Sequence, residues 1–357
     1  MRLVFMGTPD FAVPALRALV KGGHDVVGVF TQPDRSAGRG KKLKPSPVKV
    51  AAEELGLAVF QPEKIKTPEG IHQLQALAPD SIIVVAYGQI LSREILKLPS
   101  KGCINVHASL LPSYRGAAPI HWAVMRGETR TGVTTMLMDE GLDTGGMLLK
   151  REVLISDEAT TGEIHDELAA LGGELLIDTL NELEMGRLIA TPQTGKSNYA
   201  PLLKREHERL DWSRRAAELH HQIRGLNPWP GAFATFRGEN LKIWRSTPFL
   251  RTDKYSETEA FSKVATAEPG QILQVLEDSL VVQTGDGVLR ILEVQPAGKR
   301  AMPARDFFNG RHGQVGEKLG QGRARHDARC TKQGRRNFAY KSSLAPRTSR
   351  LELRASN

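Results

Sequence analysis

Leu3-Val-Phe-Met-Gly7 is a short apolar run that ends in glycine, and this stretch decides the fold of the first half of the chain. Pro9 to Val20 follows with apolar residues at helical spacing, and Gly22-Gly23 interrupts that spacing. The order of strand, turn and helix is repeated when the run Val26-Val-Gly-Val-Phe30 precedes a predicted helix from Pro47 to Leu55. This repetition indicates an α/β architecture, in which strands alternate with helices.

Further apolar strands are predicted before residue 190. Ile82-Ile-Val-Val85 is fully apolar, and strands are also expected at Cys103 to His107 and at Val133 to Met138. Continuous apolar strands are typical of a parallel sheet that is covered on both faces. A helix from Glu163 to Leu183 would close the domain. We therefore predict a doubly wound, mostly parallel, Rossmann-like α/β domain over residues 1–189.

The second half of the chain has a different character. Thr191 to Pro201 is rich in turn residues, so a linker is predicted at residues 190–207. One helix is predicted near Ser213 to Arg224, and short strand-like runs separated by Gly and Asp follow it. These runs predict a small OB-like β-barrel at residues 208–320, although their periodicity also fits other small β folds.

The formal net charge of +9 is unevenly distributed along the chain. Residues 321–357 contain ten Lys or Arg and two Asp or Glu, so the body before them is nearly neutral. The apolar pattern fades in these residues, and we predict a basic, disordered tail. Within the body, residues 35–49 contain six basic and no acidic side chains. This basic loop is a candidate for contact with nucleic-acid phosphates, with a solvated charged loop as the alternative.

Several classes of protein do not fit the sequence. Its 40% hydrophobic and 25% charged residues are ordinary for soluble proteins, and no apolar stretch has the length of a membrane span or of a signal peptide. Cys103 and Cys330 are too few for a disulfide framework or a metal site. No GxGxxG motif is present, which disfavours a nicotinamide-dinucleotide enzyme. We therefore expect a cytoplasmic protein that binds neither membrane nor metal.

Polar residues on one predicted strand are candidates for catalysis. Asn105 and His107 flank Val106, and the period of two places both on one face of the sheet. A carboxamide donor and an imidazole could thus converge on one reacting oxygen. Asp143, in the Gly-rich loop from Met138 to Gly146, could lie beside His107 and orient its ring. A structural histidine and an aspartate that caps a turn are the alternatives.

The run Asn105-Val-His-Ala-Ser-Leu-Leu-Pro112 and the downstream Asp143-Thr-Gly145 resemble the signature of the folate-dependent formyltransferase family. Three features resemble the members of this family that act on an aminoacyl-tRNA. They are the run Ser109 to Ile120, the segment Gln32 to Pro47 that contains most of the basic loop, and the presence of a second domain. The resemblance covers roughly residues 1–320 and leaves the basic tail unmatched.

The resemblance implies an enzyme that transfers the formyl group of 10-formyltetrahydrofolate to the α-amino group of initiator methionyl-tRNA. Asn105 and His107 would bind the formyl oxygen, and Asp143 would hold and polarise the imidazole. The folate site would be lined by Ser109, Leu110, Leu111, Pro112, Ala86, Tyr87, Gly88, Gln89 and Ile90. The tRNA would contact Arg39, Lys41, Lys42 and Lys44 of the basic loop, as well as the OB-like domain. No metal would be required, and we expect a monomer.

Three other functions remain open. They are formyl transfer to a small amine on a nucleotide or sugar, RNA binding without catalysis, and hydrolysis of the formyl-folate. The basic loop disfavours the first and the intact Asn, His and Asp set disfavours the second, whereas only a product assay separates the third. A weaker phosphate-facing surface is expected on the second domain, with Arg224, Lys242, Arg245, Lys299 and Arg300 as candidates.

Overall fold

The computed structural model describes residues 1–37, 42–248 and 266–320. The first part contains β1 (Arg2–Gly7), α1 (Val13–Lys21), β2 (Asp25–Phe30), β3 (Arg35–Ala37), β4 (Lys42–Lys44), α2 (Pro47–Glu54), β5 (Val59–Phe60), α3 (Pro68–Leu77), β6 (Ser81–Val85), α4 (Arg93–Lys97), β7 (Cys103–His107), β8 (Arg115–Gly116), α5 (Pro119–Met125), β9 (Arg130–Leu137), β10 (Met147–Leu154) and α6 (Thr161–Glu184). The second part contains β11 (Tyr199–Ala200), α7 (Arg205–Glu208), α8 (Ala216–Gly225), β12 (Ala232–Phe236), β13 (Glu239–Pro248), β14 (Ile272–Val275), β15 (Leu280–Gln283), β16 (Val288–Pro296), β17 (Met302–Pro303), α9 (Ala304–Gly310) and β18 (Leu319–Gly320).

The first domain is built on a seven-stranded sheet with the order β10-β9-β7-β6-β1-β2-β5. The strands from β7 to β5 are parallel, and β9 and β10 add an antiparallel edge. The predicted doubly wound, mostly parallel fold is thus confirmed. The long closing helix spans Thr161–Glu184, close to the predicted bounds, and the first helix begins later than predicted because a 3-10 turn occupies Asp10–Ala12.

Both faces of this sheet are buried, as the apolar strands predicted. Leu3 and Phe5 point to the face that α1 and α6 cover, and Val4 and Met6 point to the opposite face. Alternation along β1 therefore supplies both cores of the domain. Burying each of these large apolar side chains contributes about 1.5–3 kcal/mol. Within the described residues, no helix combines the length and the apolar character that crossing a membrane requires.

The second domain is a curled antiparallel sheet with the order β14-β15-β16-β13-β12-β18, with β17 paired to β16. A bridge between Gln271 and Lys318 joins the two ends of this order, so the sheet curls into the predicted barrel-like form. Its core contains the fully buried Trp212 and Phe308. Helix α8 packs against this core through Leu219.

Backbone and side-chain hydrogen bonds connect the two domains around the start of α6. The Thr161 hydroxyl donates to the Gly225 carbonyl at 2.8 Å. Arg224 is only 5% exposed and donates to the carbonyls of Ser156 and Ala159. Burial lowers the pKa of its guanidinium. The expectation that Arg224 faces tRNA phosphates is therefore wrong, because this side chain is used inside the protein.

His121, in the first turn of α5, should make stability depend on pH. Its ring packs edge-on against Trp229 of the second domain, with Nε2 3.3 Å from the Trp229 carbonyl oxygen. Burial lowers the pKa of His121 from 6.5 to about 4. Because the unfolded chain binds this proton more readily between these values, the free energy of unfolding falls as the pH drops through this window.

Between pH 7 and pH 4.5, the free energy of unfolding should fall less in His121→Asn than in the unaltered chain. We expect a difference on the order of 1–3 kcal/mol. Chemical denaturation of both proteins across this range measures the difference. Equal losses of stability in the two proteins would contradict a half-buried His121 that stays neutral in the folded protein.

Candidate functional site

Strand β7 presents the two candidate catalytic side chains. Asn105 and His107 are 8% and 7% exposed. Between them, Val106 packs in the core beneath α6, where it leaves little room beside Gly172. The predicted alternation is therefore observed, and the two polar side chains share the face opposite to α6. Their small remaining exposure is consistent with a site from which most water is excluded.

Two neighbours define the hydrogen-bonding state of His107. Its Nε2 lies 3.0 Å from the Tyr114 carbonyl oxygen, which can only accept, so Nε2 carries a hydrogen. Its Nδ1 lies 3.8 Å from Oδ1 of Asp143. This distance suits an ion pair but is too long for a hydrogen bond. Nδ1 is therefore the ring nitrogen that remains for a substrate or a proton.

Asp143 reaches His107 because the loop between β9 and β10 folds back across the sheet. The Asp143 backbone adopts a φ of +53°, and its Oδ2 accepts a hydrogen bond from the Gly116 amide at 2.8 Å. Two residues later, a Cβ at Gly145 would lie 1.7 Å from the Leu137 carbonyl oxygen. Glycine is required there for the loop to return, so the predicted approach of Asp143 to His107 rests on this close backbone contact.

The segment from Ser109 to Pro112 is largely fixed by internal hydrogen bonds. Ser109 is buried and its hydroxyl donates to the Ser113 carbonyl at 2.6 Å. Leu111 is also buried, and its carbonyl accepts from Lys150 Nζ at 2.7 Å. Leu110 and Pro112 are partly exposed. Four residues of this segment are predicted to line a folate site. Ser109 and Leu111 are buried and hold its conformation, whereas Leu110 and Pro112 have side-chain surface that a ligand can contact.

The segment from Ala86 to Ile90 follows β6, the strand next to β7. Ala86 and Gly88 are exposed with positive φ angles, whereas Tyr87 is buried between them. The Gln89 side chain accepts from the Ile65 amide and donates to the Pro62 carbonyl, so it ties down a neighbouring loop. Ile90 is 69% exposed. Ala86, Gly88 and Ile90 are therefore the exposed residues of this segment.

An ion pair connects this segment to the loop that carries Asp143. Arg93 Nε lies 3.0 Å from Glu140 Oε1, which places the start of α4 against that loop. Exposed Ile90 and Leu142 belong to the two sides that this ion pair brings together. Exposed apolar side chains beside polar groups suit a flat, polar heteroaromatic ring. Among the described residues, no cluster of His, Cys, Asp and Glu could hold a metal ion.

A cavity of about 390 Å³ lies between the Ala86–Gly88 segment and the basic loop. Arg35 and Lys44 line it, and they are opposite each other in the antiparallel pair formed by β3 and β4. Arg39 and Lys41 lie outside the described residues, and for Lys42 only the strand is described. Both Lys44 and Arg35 are exposed. Two cations therefore border an open cavity at the base of the loop.

Lys49, the last cation of the basic stretch, is already paired. Its Nζ lies 2.8 Å from Asp34 Oδ2. Hydrogen bonds from Lys49 and then from Gln61 hold the pKa of Asp34 below its usual value. This pair anchors the start of the loop to α2, so Lys49 is a poorer candidate for an external phosphate than Lys44.

Comparison with known families agrees with this arrangement. A family model described as formyl transferase matches residues 1–180, and one described as formyl transferase, C-terminal domain, matches residues 202–312. The chain belongs to the formyl transferase family. It is 51% identical over 321 residues to the methionyl-tRNA formyltransferase of Pelotomaculum thermopropionicum, an alignment that covers 90% of this chain and 99% of that protein.

Solved structures at low identity share the fold of this formyl transferase. An N-formyltransferase from Helicobacter canadensis, solved with folinic acid and dTDP-3-aminofucose, has a TM-score of 0.58 at 18% identity, covering 82% of this chain and 99% of that one. HypX from Aquifex aeolicus, solved with tetrahydrofolic acid, has a TM-score of 0.56 at 18% identity, covering 89% of this chain and 48% of HypX. The chain thus spans about half the length of HypX.

Several residues of this formyl transferase contribute to the site but were not singled out from the sequence. Tyr114 supplies the carbonyl that holds His107, and its own amide donates to the Asn198 side chain. Burial, with a hydrogen bond to Glu128, raises the pKa of Tyr114 to about 12, so its hydroxyl stays protonated at neutral pH. Tyr114 lies within the quoted Ser109–Ile120 run, whereas Asn198 belongs to the irregular linker and has no sequence pattern.

Proposed function

We propose that the chain transfers the formyl group of 10-formyltetrahydrofolate to the α-amino group of initiator methionyl-tRNA, giving formylmethionyl-tRNA for translation initiation. The observation that carries this proposal is the 51% identity to a methionyl-tRNA formyltransferase over 99% of its length. The juxtaposition of Asn105, His107 and Asp143 supports it with groups suited to acyl transfer.

The reaction forms a bond between the methionyl nitrogen and the formyl carbon and breaks the bond from that carbon to the folate nitrogen. The attacking amine loses a proton and the departing folate nitrogen gains one, so the reaction needs neither oxidant nor reductant. Negative charge develops on the formyl oxygen during the attack. Preorganised donors facing such an oxygen contribute on the order of 3 kcal/mol each.

Asn105 and His107 divide these tasks. The Asn105 amide donates a hydrogen bond to the formyl oxygen. His107 acts through Nδ1, because its Nε2 already donates to the Tyr114 carbonyl. A neutral Nδ1 accepts a proton that leaves the attacking amine, and a protonated Nδ1 donates to the formyl oxygen or returns the proton to the leaving nitrogen. Asp143, at 3.8 Å, balances the charge of the ring whenever Nδ1 is protonated.

The folate co-substrate supplies the formyl group and is held, in this proposal, between Ala86–Ile90 and the loop from Asp139 to Asp143. The exposed backbone of Ala86 and Gly88 binds its polar ring edges, and Ile90 contacts its ring face. Leu110 and Pro112 extend the same surface. We assign no step to a metal ion. Because the tRNA is used in translation, we propose that the chain acts in the cytoplasm, and we propose that it acts as a monomer.

The tRNA is proposed to contact the basic loop, so Arg35 and Lys44 should affect its binding in a salt-dependent way. Each lost phosphate contact lowers the slope of log affinity against log salt by about 1. We expect the double variant Arg35→Gln and Lys44→Gln to weaken tRNA binding several-fold at about 0.1 M salt and to lower the slope by about 2. Filter binding at several salt concentrations measures both quantities.

A matched control uses two exposed lysines on the other side of the domain. Lys97 and Lys101 lie at and after the end of α4, away from the cavity. Changing both to Gln removes the same charge but should leave affinity and slope unaltered. If the two double variants behave alike, Arg35 and Lys44 make no specific contact with the tRNA.

The choice of acceptor tests the function itself. The purified chain is given 10-formyltetrahydrofolate with charged initiator tRNA, with uncharged tRNA, or with a nucleotide-linked amino sugar. Transfer to charged initiator tRNA alone is the expected result. Transfer to the amino sugar would identify a small-amine formyltransferase, and release of formate with every acceptor would identify a hydrolase.

A further inference from the structure

We propose that Gln193 is a positioning residue that sets the Asp143 carboxylate against His107. The inference rests on the proposed function and adds a residue from the linker to the catalytic machinery. Residues 191–199 are exposed except for Gln193, which is turned inward. Because its neighbours in the chain are exposed, the inward orientation of Gln193 indicates that its side chain has a structural role.

Both polar atoms of the Gln193 side chain are hydrogen-bonded within the protein. Its Nε2 donates to the Asp143 carbonyl at 2.8 Å and to the Gly145 carbonyl at 2.9 Å. Its Oε1 accepts from Nε and Nη2 of Arg115 at 3.0 and 2.7 Å. The side-chain amide of Gln193 thus connects the loop that carries Asp143 to Arg115 of β8.

Together with a bond from Gly116, these hydrogen bonds hold both the backbone and the side chain of Asp143. Gly116, the neighbour of Arg115, donates its amide hydrogen to the Asp143 carboxylate at 2.8 Å. Gln193 holds the backbone of Asp143, while Gly116 holds its side chain. Asp143 therefore has its main chain and its carboxylate fixed by two groups that are themselves joined through Arg115.

The backbone of Asp143 adopts a less favoured conformation. Its φ of +53° lies in the left-handed region, which non-glycine residues adopt less readily than the right-handed region. Without the two donors of Gln193, the loop can relax toward an unstrained backbone, and the carboxylate would move away from the 3.8 Å position beside Nδ1 of His107. Displacements of about 1 Å in a catalytic group can lower a rate by about a hundredfold.

Gln193→Glu separates this role from general packing. Glutamate keeps the size of the side chain and the oxygen that accepts from Arg115, but it presents an oxygen to the Asp143 and Gly145 carbonyls. A matched control exists in the second domain. Gln222 also donates to two carbonyls, those of His207 and Arg209, and accepts from Arg214. Gln222→Glu breaks the same kind of contact far from the loop of Asp143.

The experiment measures formyl transfer from 10-formyltetrahydrofolate to methionyl-tRNA by the full chain, together with the thermal unfolding of each variant. We expect Gln193→Glu to lower kcat at least about tenfold with KM for the tRNA changed less than about twofold. Gln222→Glu should keep kcat even if its melting temperature falls as much. Loss of kcat in both variants in proportion to their loss of stability would overturn the inference.

A double-mutant cycle shows whether Gln193 acts through Asp143. In an Asp143→Asn background, Gln193→Glu should lower the single-turnover rate by a much smaller factor than in the unaltered chain. Equal factors in the two backgrounds would overturn the inference. The proposed function fails separately, because its failure would appear as no transfer by the unaltered chain, whereas failure of this inference would appear as full transfer by Gln193→Glu.

Discussion

His107→Ala should lower kcat for formyl transfer by about a thousandfold, because a positioned acid–base group contributes about 10²–10⁴ to a rate. The ring is nearly buried, its Nε2 is held by the Tyr114 carbonyl and its Nδ1 is the nitrogen that remains for the substrate. No other described histidine contacts Asp143. KM for the tRNA should change little, since the proposed phosphate contacts lie on the basic loop. Rapid-quench measurement of single turnovers gives the rate.

An exposed histidine provides the control for this variant. His72 lies on α3 and is exposed, so His72→Ala should keep the full rate. A His107→Ala protein that retains more than about a tenth of the rate would contradict a proton-transfer role for this ring. In that case Asp143 and Tyr114 would be structural partners of a packing histidine.

Asn105→Ala should lower kcat by about 10²–10³, the loss that follows removal of one oxyanion donor. Asn105 lies on β7 opposite Met136 of β9, with its side chain on the same face as His107. Asn105→Asp provides a sharper test, because a carboxylate has the same shape but accepts hydrogen bonds and repels a developing negative charge. If Asn105 acts as a donor, the aspartate variant should be no faster than the alanine variant.

The opposite order of the two variants would contradict this role. An Asn105→Asp protein with a rate close to that of the unaltered chain would show that Asn105 only fills space or orders water. Steady-state kinetics with both substrates varied gives kcat and each KM for both proteins. Thermal unfolding of the two variants shows whether either loss of rate reflects loss of folded protein.

The pairing of Asn105 and His107 could be predicted from the sequence because it depends on a local rule. Alternate residues of a strand share a face, and β7 has the predicted bounds Cys103–His107. The continuous apolar strands likewise predicted a parallel sheet with two buried faces. Period and composition are properties of short segments, so they can be evaluated without knowing the rest of the fold.

The position of Asp143 is a different kind of property. Its approach to His107 depends on a loop that returns over the sheet, on a left-handed backbone at Asp143 itself and on the absence of a side chain at Gly145. None of these follows from spacing. The sequence indicated only that the loop could bring Asp143 beside His107, with a turn-capping aspartate as the alternative, and the resemblance then implied that Asp143 holds the imidazole. The same reasoning applies to Arg224, whose exposure was predicted from its charge but whose side chain is buried where the domains meet.

The linker shows the largest gap between sequence and structure. Its Gly, Pro and polar residues predicted a linker, and this composition gave no indication of the roles of Gln193 and Asn198. Both side chains contact backbone groups, of the Asp143 loop and of Tyr114, and Gln193 also accepts hydrogen bonds from Arg115. Backbone carbonyls are present at every residue, so the sequence does not reveal which of them a glutamine binds.

Formyl transfer to the methionyl amine is tested most directly by following the formyl carbon. The chain is incubated with 10-formyltetrahydrofolate labelled in the formyl carbon and with charged initiator methionyl-tRNA, and the amino acid is then released from the tRNA and identified. The proposed transfer yields labelled N-formylmethionine in an amount equal to the tetrahydrofolate formed. Label found in formate, or no label on the amino acid, would contradict it.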